Sequence, residues 1–180
     1  MPSEARPTPI AGLIELVAEP FVDHRGMFLN GYRAGEPAFA GSWGPRGLAQ
    51  VNISRTHAVG AIRGLHLQRQ PHSEAKLVRC LRGRVWDVAV DLRPGSATHG
   101  RWHAVELAPA TANALLIPEG CAHGFQVLEP DSELLYLHSG AWVPESATGV
   151  RWNDPGLAIS WPLPVADMSD QDRRLPLLPR

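Results

Sequence analysis

A chain of 180 residues with 44% hydrophobic content can bury a sizeable core and fits one domain, expected to span residues 1–180. Its formal net charge of −1 gives no overall basic field, which argues against nucleic-acid binding, and its apolar runs are far too short to cross a bilayer. The two cysteines, Cys80 and Cys121, lie within apolar runs and no charged-apolar-small signal opens the chain, so a reduced, cytoplasmic protein is expected.

Short apolar and β-branched runs recur between turn residues, with 17 glycines and 17 prolines supplying the turns, and almost no stretch keeps a period of 3.6. The expected fold is therefore all-β. In chain order, strands are expected over residues 11–18, 48–54, 77–81, 84–92, 101–107, 114–117, 124–128 and 133–139. In the clearest of them, Trp86, Val88, Val90 and Leu92 alternate with Val85, Asp87, Ala89 and Asp91. One face is then apolar, while the other carries two carboxylates and is placed to line a cavity. Many short strands without helical insertions fit a sandwich or jelly-roll barrel whose mouth can hold a small ligand. Only residues 164–174, with Asp167 and Ser169 as candidate caps, are expected to form a short peripheral helix.

Lys76 is the single lysine among 17 basic residues. An ammonium is a compact point charge that a flat guanidinium does not replace, so a chain that otherwise uses arginine has a chemical use for this one. It follows closely on Arg63-Gly64-Leu65-His66-Leu67-Gln68, a run rich in groups able to act on a ligand.

Five blocks, in order and at matching spacing, resemble those of dTDP-4-dehydrorhamnose 3,5-epimerases. They are Ile62-Arg63-Gly64-Leu65-His66-Leu67-Gln68, Lys76-Leu77-Val78-Arg79-Cys80, Trp86-Asp87-Val88-Ala89-Val90-Asp91-Leu92-Arg93, Ile117-Pro118-Glu119-Gly120-Cys121-Ala122-His123-Gly124-Phe125 and Arg151-Trp152-Asn153-Asp154-Pro155. The similarity runs from about Phe21 to Leu178. It implies a cupin-type jelly roll, commonly a homodimer, that works without metal or cofactor. The implied substrate is a dTDP-4-keto-6-deoxyhexose, inverted at carbon 3 and carbon 5 on the way to activated L-rhamnose or to antibiotic sugars.

Such a reaction needs a base beside the ketone and a group to stabilise the enolate oxygen. His66 is the candidate base, since an imidazole titrates near neutrality and needs a second group to fix its tautomer. The resemblance places that group in Met168-Ser169-Asp170-Gln171-Asp172 and favours Asp172 over Asp170. Lys76 is the implied cation facing the enolate, and Tyr136 the implied acid that returns a proton to the opposite face of the sugar. Tyr136 could instead be core packing, with its hydroxyl tied to a carbonyl. Arg63 is a candidate for the sugar or pyrophosphate, with a salt bridge to the Asp87/Asp91 face as its structural alternative. His123 follows the Pro118-Glu119-Gly120 turn and is expected to point into the barrel as a ligand contact, oriented by Asp87. Arg25, Gln50, Asn52 and Trp142 complete the implied substrate-binding set.

Two regions depart from the family pattern. Met27-Phe28-Leu29-Asn30 stands where an aromatic run ending in glutamate is usual, and Ala141-Trp142 where a pair of tyrosines is usual. Both belong to the part of the family site that holds the nucleotide and the outer edge of the sugar, and such changes fit a monofunctional epimerase of an antibiotic pathway. A metal-dependent cupin is the alternative, because Pro118-x-Gly120-x-x-His123 resembles the second cupin motif. Against it, His66-x-Gln68 lacks the His-x-His pair and the glutamate that such a site requires. A further alternative is a sugar-binding or cyclase relative on the same scaffold.

Overall fold

The computed structural model describes residues 3–39 and 41–179. A six-stranded sheet runs, edge to edge, β1 (Glu4–Pro7), β2 (Ile14–Val17), β10 (Asn113–Ile117), β7 (Lys76–Arg82), β12 (Ser132–His138) and β5 (Gln50–Thr56). A five-stranded sheet runs β13 (Ala147–Gly149), β6 (Ile62–Gln68), β11 (Cys121–Val127), β8 (Val85–Asp91) and β9 (Trp102–Leu107). The hairpin of β3 (Phe21–Asp23) and β4 (Gly26–Phe28) stands apart from both. From β5 to β12 only β8 and β9 follow one another within a sheet, and every other step crosses to the opposite sheet. That antiparallel winding is a jelly roll.

Burial on both faces is confined to the inner strands, and every residue of β10 and β11 is buried. Between the sheets, Val78, Cys80, Leu115, Ile117 and Leu134 of the first meet Val85, Ala89, Leu107, Phe125 and Val127 of the second. Outside the first sheet, Leu77, Leu116 and Leu137 are covered by Phe39 and Trp43 of the long segment before β5. Outside the second, Val88, Val90 and Ala122 are covered by Val150 and Leu157, with Trp86, Trp102 and Trp161 packed around them. The two-residue alternation expected in β8 is thus present, with Val85, Asp87 and Ala89 buried and Trp86, Val88 and Val90 packed in the outer cluster. Both cysteines are free and buried, and burial pushes the thiol of Cys80 up to about 11 and that of Cys121 up to about 12.

Strand β6 was not among the strands expected from the sequence, and its composition explains why. Arg63, Gly64, His66 and Gln68 interrupt any apolar alternation over Ile62–Gln68. Gly64 is there for space: it has φ +124, and a Cβ on it would lie 2.6 Å from Gly124 Cα and 2.8 Å from the His123 carbonyl oxygen. Gly124 answers it, since a Cβ there would lie 2.7 Å from the Arg63 carbonyl oxygen. This close approach coincides with a register shift between His123 and Phe125, and His123 is the direct pairing partner of His66. Two glycines therefore set the local bend that brings two histidines side by side.

The helix expected over 164–174 shrinks to α1 (Asp170–Arg173), capped by Ser169, whose Oγ accepts the Asp172 N–H at 3.1 Å. Asp167 is not a cap. The chain before Ser169 runs alongside the start of β6, with Ala166 N–H donating to the Gly60 carbonyl and Ile62 N–H to the Asp167 carbonyl. A sheet-edge partner has outcompeted the local helix preference.

Candidate active site

The two sheets part at a cleft of about 1220 Å³ lined, among others, by His66, Lys76, His123, Tyr136 and Asp172. These side chains come from four strands and the C-terminal helix, which the jelly-roll winding brings to one mouth. His66 stands on β6 with its side chain 44% exposed, open to a ligand. Its Nε2 lies 2.6 Å from Asp172 Oδ1, while Asp172 Oδ2 accepts the Gly64 N–H at 3.2 Å. Burial works to raise the Asp172 pKa, but the His66 ring, the Gly64 N–H and Ser169 hold it below the usual carboxylate range. An ionised carboxylate on Nε2–H fixes the tautomer and leaves Nδ1 as the basic nitrogen of His66.

Facing the same space, Lys76 is held at the base of β7. Its Nζ donates to the His66 carbonyl at 3.2 Å and lies 3.4 Å from Glu74 Oε1. Burial drives its pKa down, and Glu74 and then Asp87 oppose that shift. His123, on β11, places Nε2 2.8 Å from Asp87 Oδ2 on β8, as expected for an oriented imidazole. Burial raises the Asp87 pKa despite the attraction of His123 and Lys76. The second carboxylate of that strand face plays no part in the cleft. Asp91 is bound by Arg93, Ser96 and Thr98, which hold its pKa far below normal in spite of burial, and it fastens the turn after β8.

Tyr136 lies on β12 between two imidazoles. Its ring is edge-on to His123, with centroids 5.9 Å apart, and stacked on His138 at 6.1 Å. Its hydroxyl is 3.4 Å from Ser54 Oγ, and burial pushes its pKa well up, so the phenol stays protonated in the resting site. The ring packs against the inter-sheet core as well as lining the cleft, and its hydroxyl meets Ser54 Oγ rather than the carbonyl that the packing alternative expects.

Arg63 lines the cleft and makes no salt bridge to Asp87 or Asp91; its guanidinium donates to Thr56 Oγ1 at 2.9 Å and to the Arg55 carbonyl at 3.4 Å. Asn52 and Trp142 also line the cleft, with Trp142 61% exposed. Gln50 does not line it but supports it, since its Oε1 accepts the Trp142 N–H at 2.9 Å and its Nε2 donates to Asn52 Oδ1 at 3.0 Å. Arg25 is not in the cleft. It sits in the turn of the β3–β4 hairpin, where its guanidinium is taken up by Asp23.

Glu74, Gln68 and His138 are among the cleft residues that the sequence reading did not assign to the site. His138 was findable, because strand alternation puts it on the face of Tyr136 two residues away. Its ring is 14% exposed, with Nε2 3.4 Å from Asn52 Nδ2, and burial, reinforced by Lys76 and His123, lowers its pKa to about 4. Glu74 precedes the lone lysine by two positions, a signal visible in retrospect. Among the described residues, no three His, Cys, Asp or Glu side chains gather as a metal-ligand set.

An oriented imidazole, a buried ammonium and a protonated phenol around one cleft form a site able to abstract a proton, offset negative charge and return a proton. The family model for dTDP-4-dehydrorhamnose 3,5-epimerase matches residues 7–180. Among curated relatives, a dTDP-4-dehydrorhamnose 3,5-epimerase of Sinorhizobium fredii is 39% identical over 88% of this chain and 80% of its own length. A dTDP-4-dehydrorhamnose 3-epimerase of Streptomyces niveus is 41% identical over 94% of this chain and 82% of its own. The crystal structure of the Bacillus anthracis dTDP-4-dehydrorhamnose 3,5-epimerase with TDP and PPi bound superposes with a TM-score of 0.92 at 35% identity, covering 98% of this chain and 99% of that one. The fold is that of a cupin-type jelly roll, and the protein is an enzyme of the isomerase class. This chain belongs to the dTDP-4-dehydrorhamnose 3,5-epimerase family.

Proposed function

We propose that the protein epimerises a dTDP-4-keto-6-deoxyhexose at carbon 3, carbon 5 or both, by removing the proton next to the ketone and returning one from the opposite face. The observation that carries this reading is the His66–Asp172 contact at 2.6 Å, set in the same cleft as Lys76 and Tyr136. His66 Nδ1 takes the proton, Lys76 faces the enolate oxygen and Tyr136 donates its phenolic proton across the ring. His123, braced by Asp87, and Arg63, Asn52 and Trp142 supply contacts to the sugar and its diphosphate, while Gln50 acts through Trp142 and Asn52. Both activities of the relatives, 3,5-epimerase and 3-epimerase, fit this chemistry, which uses one base at either carbon.

Two copies are proposed to pair. Support comes from the large apolar side chains exposed on the hairpin and the edge strand β5, with Val22 68%, Phe28 73% and Ile53 66% exposed. A sedimentation mass near the 19.6 kDa of one chain would contradict this.

Tyr136→Phe tests the two-face assignment. The phenylalanine keeps the ring between His123 and His138 but carries no proton, so His66 still forms the enolate and can return deuterium to the face it came from. The expected result is residual exchange in heavy water with inversion strongly reduced, most clearly at carbon 5, by on the order of 10²-fold for a missing general acid. Inversion of both centres at the parental rate would mean that another group is the acid.

A further inference from the structure

The Lys76 ammonium is sealed into the cleft wall, with 9% of its side chain exposed, and the two oxygens it meets are the His66 carbonyl at 3.2 Å and Glu74 Oε1 at 3.4 Å. Glu74 is buried more deeply, at 4% side-chain exposure. Its other oxygen, Oε2, accepts from Gln68 Nε2 at 2.6 Å. Gln68 is itself clamped, its Oε1 accepting the Val143 N–H at 2.6 Å and its Nε2 lying 3.1 Å from the Ala141 carbonyl. The carboxylate beside Lys76 is therefore fixed by a chain of hydrogen bonds that runs through Gln68 on β6 to the segment carrying Trp142, rather than swinging on a solvated stem.

We infer that Glu74 is a positioning residue, which keeps the Lys76 ammonium charged and aimed at the point where negative charge develops on the sugar. The inference rests on the reading of Lys76 given above. Removing a charge from water favours its neutral form, and a neutral amine offers nothing to an enolate oxygen. Glu74 opposes that loss. Burial lowers the Lys76 pKa and Glu74 is the strongest influence raising it, with Asp87 on β8 a weaker one. The other groups facing Lys76 do not substitute for it. His66 on β6 offers a carbonyl, Ile117 on β10 is apolar, His123 on β11 is bonded to Asp87, and His138 on β12 is held neutral by burial.

Because Lys76 is the only lysine, full-length protein grown with lysine labelled at Cε gives one side-chain NMR signal, which reports this residue alone. Titrated from about pH 6 to about pH 11, the signal marks the midpoint at which the ammonium loses its proton. In Glu74→Gln, which keeps the size of the side chain, that midpoint is expected about one pH unit or more lower, a roughly tenfold loss of proton affinity. Activity requires the charged form and falls as pH rises through the midpoint. The basic limb of the kcat/KM profile, which reports the free enzyme, should therefore move to lower pH by the same amount, with KM changed less than about threefold at pH values below the midpoint. Glu74→Asp, which keeps the charge, is expected to hold the midpoint near the parental value. An unmoved or higher midpoint in Glu74→Gln, or a fall in Glu74→Asp as large as the one expected for Glu74→Gln, would overturn the inference. Those outcomes concern Glu74 alone, whereas full kcat in a Lys76 variant would overturn the role of Lys76.

Discussion

His66→Asn is expected to abolish both inversion and solvent exchange, with exchange falling by at least about 10²-fold at each carbon where the parent enzyme exchanges. The geometry makes the substitution informative. The Asn amide is too short to reach Asp172 from the place of Nε2, but the Gly64 N–H still donates to Asp172 Oδ2, so the carboxylate keeps a partner on β6. What disappears is the basic ring nitrogen that Asp172 leaves free. Loss of a structural histidine would instead lower stability and leave the chemistry of the folded fraction intact. Deuterium exchange per folded molecule, followed by NMR of the sugar, separates the two, and parental exchange would remove His66 from its role.

Lys76→Arg is expected to lower kcat by on the order of 10²–10³-fold although the formal charge is unchanged. Lys76 Nζ fits between the His66 carbonyl and Glu74 Oε1, at 3.2 and 3.4 Å, in a position where the side chain is 9% exposed. A planar guanidinium is wider, spreads its charge over three nitrogens and prefers to meet Glu74 as a fork, turning that charge from the cleft. Displacement of the charge from the enolate oxygen by even 1 Å is costly, because the interaction acts only when geometry is right. The expected signature is a fall in kcat with KM changed little, and near-parental kcat would contradict the assignment.

Much of the fold could be read from the sequence because turn residues punctuate short apolar runs, and in β8 a two-residue alternation is explicit. The alternation of β8, the turn before His123 and the contact of His123 with Asp87 are all present. Strand β6 was hidden because its residues serve the cleft and the pinch at Gly64 and Gly124 rather than the core. Strands β1, β3, β4 and β13 have three or four residues each, too few for a periodicity to show. The lone lysine was visible as composition, while the choice of Asp172 over Asp170 needed the family pattern. In the structure Asp172 is buried against His66 and Asp170 is exposed on the same short helix. Glu74 and Gln68 were missed for a physical reason: a carboxylate and an amide in a turn-rich segment look solvated, and only the return of residues 141–143 over them makes them buried. Arg25 lies outside the cleft, bound to Asp23 on a hairpin that touches neither sheet by strand pairing, which local sequence does not reveal.

The measurement that bears most directly on the account is incubation of the unaltered protein with dTDP-4-keto-6-deoxyglucose in heavy water, followed by NMR of the sugar. Proton abstraction next to the ketone predicts deuterium at carbon 3, at carbon 5 or at both, with inverted configuration wherever a proton has been returned from the other face. Deuterium at both marks a 3,5-epimerase, and deuterium at one marks a monoepimerase. A sugar recovered with no deuterium at either carbon, from folded protein that binds it, would contradict the claim that this cleft is an epimerase active site.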